Sequence, residues 1–204
     1  MARKKQIKRG RKQRSEKAVI LIGTEGRNKT ERQYFRTLSQ DASDKYSFKF
    51  ARGKNTDPVG VVMDTVKDAE NMCTDPGDKA FAVFDTDADV QKQPLVDKAV
   101  ELAKKNSIEV ITSTPCFEVW FLQHFRYSTH PFNSGDEVLR ELRQHVSDYE
   151  KSKNVYESVS QSTEDAIERA KALEEYHDTQ GRKKYSIDRN PSALAFIIVD
   201  MLVG

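Results

Sequence analysis

Two cysteines in 204 residues are too few for a disulfide framework, and Cys73 and Cys116 stand apart rather than in a metal-binding cluster. Their scarcity points to a reducing compartment, and the cytoplasm is the expected location. Long hydrophobic runs are missing too: none approaches the roughly 20 residues of a membrane-spanning helix, so no membrane partner is expected. The N-terminal stretch is basic and lacks the apolar segment that a secretory signal requires. His124, His130, His145 and His177 show no metal-ligand spacing, and there is no internal repeat. What is present is 37% hydrophobic and 32% charged residues, enough for one core beneath a strongly solvated surface.

Charge is unevenly spread along the chain. Residues 1–17 carry nine Lys or Arg against Glu16 alone, leaving 25 of the 34 basic and 31 of the 32 acidic residues for the rest, a net of −6. A basic arm of this kind, on an acidic body, has the composition of a disordered tail that meets polyanions. Counterion release would make it a sequence-independent affinity device for nucleic acid. A solubilising tail with no partner fits the charge equally well.

The chemistry-bearing residues follow short apolar runs. Glu25 comes directly after Val19-Ile20-Leu21-Ile22-Gly23, and Asp85 and Asp87 come directly after Phe81-Ala82-Val83-Phe84. Such runs read as buried parallel strands, and ligand crevices of open α/β sheets form beyond the carboxyl ends of their strands. A Glu and an Asp-x-Asp at one edge offer oxygen ligands for a hard cation such as Mg²⁺, with Mn²⁺ as a substitute. If the strand pattern persists through them, Asp85 and Asp87 point to one side, and Asp89 continues the series. Gly26 suggests a sharp bend or a close approach of a ligand. Arg27, Lys29 and Arg32 beside Glu25 suit a clamp on a phosphodiester, as Lys183 and Lys184 do if the fold brings them to the acids. Each of these basic residues fits a solvated surface about as well.

The periodicity predicts strands at residues 18–23, 46–51, 79–84 and 108–112, alternating with helices after Asn28, at 59–72 and at 94–105. This βαβαβαβ order implies a parallel sheet covered on both faces, with strands one and three delivering their acids to the same edge. Asn28 and Glu31 have the spacing of a capping box. Residues 115–125 read as an aromatic-rich helix bearing Glu118 and His124. Glu118 suits a metal ligand or proton-transfer group, or simple complementarity to the helix dipole. His124 among aromatics reads first as a core residue. Charged amphipathic helices are expected at 136–151 and 163–176. Asn190-Pro191 is expected to open an apolar helix through Val203, buried in its own core or against another subunit.

Taken together, TEGRNKTERQYF, VFDTDAD, STPCFEVWFLQHF and NPSALAFIIVDML resemble, in that order, the RloB-like family of prokaryotic defence loci. Strand-Glu-Gly followed by strand-Asp-x-Asp is similar to the wider Toprim fold. The resemblance implies a Toprim-like Rossmannoid α/β sheet at residues 18–125, with a helical extension at 126–204 packing on it. It also implies a Mg²⁺-dependent endonuclease acting on DNA or RNA, tRNA among the candidates, in anti-phage defence. Glu25 matches the acid/base position, Asp85 and Asp87 match the metal ligands, and Glu118 and Asn190 match motif positions without an assigned role. An AAA-type ATPase encoded nearby is the expected partner. Three other readings stay open: an Asp-x-Asp phosphatase with Asp85 as nucleophile, a sugar-nucleotide transferase, and a non-catalytic nucleic-acid-binding or regulatory subunit. Against the phosphatase, its Asp-x-Asp normally closes the first strand, and here the motif closes the third.

Overall fold

A computed structural model describes residues 17–26, 30–151 and 155–203. Its elements are β1 (Ala18–Thr24), α1 (Thr30–Asp41), β2 (Tyr46–Phe50), α2 (Pro58–Met72), β3 (Lys79–Asp85), α3 (Gln93–Lys105) and β4 (Glu109–Thr114). There follow α4 (Glu118–Gln123), α5 (Gly135–His145), α6 (Tyr156–Val159), α7 (Thr163–Thr179), β5 (Ser192–Ala193) and α8 (Phe196–Val203). The expected basic arm lies outside the described residues except for Lys17, and so does the Asn28 cap.

The five strands form one sheet in the order β2-β1-β3-β4-β5, parallel except for β5. Alternation along each strand splits the core in two. Ile20, Ile22, Phe81, Val83 and Ile111 join α1, α4, α5, α7 and α8 in one cluster. Leu21, Ala80, Ala82, Phe84 and Val110 join α2 and α3 in the other. Each fully buried Val, Leu, Ile or Phe contributes about 1.5–3 kcal/mol of transfer free energy, so both layers are held mainly by these side chains. The mixed α/β architecture expected from the alternation of elements is the one found.

Local chemistry sets the joints. Asp57 caps α2 by accepting from the Gly60 N–H at 2.9 Å, with Pro58 at the first helical position. Asp78 accepts the backbone N–H groups of Val19, Thr74 and Asp75 at 2.7–2.9 Å, pinning the start of β1 to the turn before β3. Gly23 lets β1 lie against α2, since a Cβ there would fall 1.9 Å from the Thr65 hydroxyl.

Four sequence expectations differ from the structure. The aromatic helix is only Glu118–Gln123, because both ends tighten into three-residue turns, with the Val119 N–H donating to the Cys116 carbonyl and the His124 N–H to the Phe121 carbonyl, each at 3.1 Å. The next helix, expected to reach residue 151, stops at His145, where Tyr149 is drawn into the core and tertiary packing overrides helix propensity. Pro191 does not open a helix. It follows a cis bond to Asn190, and Ser192–Ala193 then pair antiparallel with Thr114 and Ser113, so α8 begins only at Phe196. Nor does the strand pattern persist through the Asp-x-Asp: β3 ends at Asp85, and Asp87 and Ala88 turn left-handed (φ 54° and 52°). The apolar C-terminal segment buries Ile198, Val199 and Leu202 in this chain's own core and leaves Val203 49% exposed.

Candidate active site

A parallel sheet ordered 2-1-3-4 reverses direction between β1 and β3, the switch point where crevices open in such folds. Glu25 and Asp85 stand at that point. The Asp85 N–H donates to Glu25 Oε1 at 3.1 Å, joining residues sixty positions apart. Gly26, at φ +59°, turns the chain immediately afterwards, and its N–H donates to the Asn55 carbonyl at 3.2 Å.

Strand alternation sends Asp85 to the same side as Phe81 and Val83, toward α1 and α4. Two further carboxylates wait there, Glu31 in the first turn of α1 and Glu118 in the first turn of α4, each 2% exposed. Burial pushes the Asp85 carboxyl well above the usual range, and the charges of Glu31, Glu25 and Glu118 push it further, against one stabilising N–H from Phe117. Four acids thus converge on one strand edge. Glu118 accepts the Tyr149 phenol at 2.8 Å and lies 3.2 Å from the Thr30 hydroxyl. That hydroxyl also reaches the Lys151 carbonyl at 2.8 Å, so its single proton serves one acceptor at a time. The Cys116 thiol beside Glu118 is held protonated, by burial first and then by the charges of Glu118 and Asp85.

The remaining sequence candidates divide. Asp87 is exposed and ion-paired with Lys92. Asp89 caps the short turn before α3, accepting from the Gln91 N–H at 2.9 Å, which accounts for it without a metal. Arg32 donates to the Ala51 carbonyl at 3.1 Å and lies 5.0 Å over the Phe50 ring, fastening the end of β2 at the same edge. Arg27 and Lys29 lie outside the described residues. Lys183 and Lys184 are exposed on a loop anchored to Gln93 at the start of α3, whose side chain accepts from the Ile187 N–H at 2.8 Å. The loop therefore flanks the segment that follows Asp87. His124 is a core residue: burial depresses its pKa to about 4, and Nδ1 faces the Trp120 carbonyl at 3.1 Å. Asn190 is a clamp, bonding the Phe132 N–H and carbonyl at 3.0 and 2.7 Å.

Sequence reading passed over Glu31, whose capping-box spacing explained it too readily, and Tyr149, hidden in a charged segment. An aromatic residue away from the apolar stripe was the one available signal for Tyr149.

Among the described residues, no three His, Cys, Asp or Glu side chains form a ready metal cage. Mg²⁺ does not need one, since it is ordinarily held by one or two carboxylates together with waters and substrate phosphates. Glu25 and Asp85 supply that number, and a divalent cation would relieve the mutual repulsion that raises the Asp85 carboxyl. The donor set fits the ion.

No curated protein matches this chain. Among solved structures, a de novo designed Rossmann fold protein is similar at 18% identity and a TM-score of 0.31, over 65% of this chain and 99% of the design. The family model described as RloB-like protein matches residues 20–202, most of the chain. The protein belongs to the RloB-like family.

Proposed function

We propose that this protein is a Mg²⁺-dependent endonuclease of the Toprim type, hydrolysing DNA or RNA phosphodiesters at the β1/β3 edge. The observation that carries the reading is the joining of Glu25 to Asp85 at the sheet's switch point, with Glu31 and Glu118 buried around them. Bound there, Mg²⁺ would neutralise charge on the scissile phosphate. Asp85 and Glu25 would hold it, with Asp87 reaching in from the mouth once its pair with Lys92 opens. Glu25 takes the proton from a water whose oxygen attacks phosphorus. The P–O bond to the leaving nucleoside breaks, and that oxygen leaves with a proton from solvent, giving a phosphomonoester and a free hydroxyl. Glu118, fixed by Tyr149, sets the field in which Asp85 works.

Basic residues outside the acid nest (Lys183, Lys184, Arg27, Lys29 and the arm at 1–17) are the proposed phosphate contacts along the substrate. An AAA-type ATPase encoded nearby is the proposed controlling partner, because an unregulated nuclease harms its own cell. Among the described residues no helix is long and apolar enough to cross a membrane. A second reading, a non-catalytic nucleic-acid-binding or regulatory subunit, is favoured by the engagement of Asp87 with Lys92.

Incubating the purified protein with supercoiled plasmid and with structured RNA, with Mg²⁺ and with EDTA, separates the two. Cleavage of either substrate that EDTA abolishes supports the nuclease. Binding without cleavage, alone and after co-purification with the ATPase, supports the second reading.

A further inference from the structure

Between α5 and α6 the chain crosses the mouth of the acid nest as a strap, residues 146–151. It is bolted down from three different elements. Arg143 Nε of α5 donates to the Tyr149 carbonyl at 3.3 Å. The Tyr149 phenol, in a side chain only 1% exposed, donates to Glu118 of α4 at 2.8 Å. Thr30 of α1 donates to the Lys151 carbonyl at 2.8 Å. The strap backbone is therefore fixed against the acids, while the Lys151 side chain is exposed.

Two other described cations at this edge are engaged: Lys92 pairs with Asp87, and Arg32 is held by the Ala51 carbonyl and the Phe50 ring. Lys151 differs. Among the described residues no carboxylate lies within ion-pair distance of its ammonium. We propose that the strap completes the site, with Lys151 binding a non-bridging oxygen of the substrate phosphate and Tyr149 acting as a positioning residue for Glu118. The inference rests on the phosphodiester reading above.

The electrostatics agree. Partial burial works against the Lys151 ammonium, but the charges of the Glu118, Asp85 and Glu31 carboxylates outweigh it, and its pKa is raised. A cation held near three carboxylates yet bonded to none of them is placed to meet an anion that arrives with its own charge, and a fixed backbone means little reorganisation when it does.

The test is binding of a fluorescein-labelled DNA duplex and RNA hairpin by anisotropy, across a salt series in EDTA, beside cleavage in Mg²⁺. Lys151→Ala keeps the carbonyl that Thr30 holds, so it should fold; Lys151→Gln repeats the test if thermal unfolding shows otherwise. Loss of one phosphate contact should make the slope of log affinity against log salt shallower by about 0.7–0.9, and Lys151→Arg should restore it. Tyr149→Phe should slow cleavage while leaving that slope unchanged. A wild-type slope in Lys151→Ala overturns the assignment even where wild-type protein cleaves. A shallower slope in a protein that never cleaves sinks the nuclease reading and leaves the phosphate contact standing. Wild-type protein that binds neither probe overturns both.

Discussion

The two faces of the sheet are built from different materials. The α2/α3 face is filled by Leu21, Val61, Val62, Val96, Ala99, Ala103 and Val110, with Phe84 as the one aromatic in its buried set. The opposite face buries Tyr34, Phe35, Phe81, Phe117, Trp120, Phe121, Phe132 and Tyr149. Phe117 meets Phe121 edge to face at 5.5 Å, and Phe121 lies 6.1 Å from Tyr149. Small aliphatic residues supply area and tolerate exchange. Large rings supply area in fixed orientations, and tyrosine adds a hydroxyl at its end. Both helix-borne acids, Glu31 and Glu118, sit on the aromatic face, and Asp85 points to it. One face holds the sheet together; the other also aims carboxylates.

That contrast can be broken. Its largest expected effect is at the strand edge itself: Glu25→Gln should slow Mg²⁺-dependent cleavage by about 10²–10⁴-fold, the usual contribution of a general base, with substrate affinity little changed. An affinity collapse of similar size would show that Glu25 acts by holding the cation and not as the base. Next comes a matched pair in the two cores. Phe121→Ala should cost about 3–5 kcal/mol and also lower the cleavage rate per folded molecule, because Tyr149 loses a neighbour. Val96→Ala should cost about 0.5–3 kcal/mol and leave the rate per folded molecule intact. Chemical denaturation and single-turnover kinetics on the same samples decide it, and equal rate losses in both variants would erase the difference between the faces.

The smallest effect belongs to the scaffold side. Hydrogen bonds from the Arg52 side chain and backbone hold the buried Asp68 carboxyl below its usual range. A lowered carboxyl stabilises the fold fully above its unfolded pKa and loses that contribution as pH falls through its folded value. Asp68→Asn should therefore cost stability at neutral pH, near the lower end of the about 1.5–3 kcal/mol of charge-assisted hydrogen bonds. The Arg52 side chain is 70% exposed, and solvent screens its part. The gap from wild type should close below about pH 4, the ordinary carboxylate range. A gap constant with pH would show packing, not charge, at work.

How much of this was legible in the sequence depended on range. Buried parallel strands announce themselves as unbroken apolar runs, so Ile20–Ile22 and Ala80–Phe84 were readable, and an acid just beyond each run was enough to place Glu25 and Asp85 together. Helix periodicity likewise exposed Tyr34, Phe35 and Leu38. Contacts made across long separations left no local trace. Tyr149 reaches Glu118 from 31 positions away, and Asn190 reaches Phe132 from 58. Nor does spacing alone show where a strand ends, so Asp87 looked like a twin of Asp85 until its left-handed turn separated them. Glu31 had a sufficient local explanation that concealed a tertiary one.

The central claim is that the acids at the β1/β3 edge form a cation site, and Mg²⁺-dependent thermal stability tests it without reference to any substrate. Asp85 is held in a state its neighbours oppose, so Asp85→Asn should leave the melting temperature in EDTA unchanged or higher, since a raised carboxyl pKa marks a charge that destabilises the fold at neutral pH. Adding Mg²⁺ should raise the melting temperature of the wild-type protein, because a ligand that binds only the folded state stabilises it, and should not raise that of Asp85→Asn. Equal Mg²⁺ shifts in the two proteins, or a wild-type protein indifferent to Mg²⁺, would contradict the account.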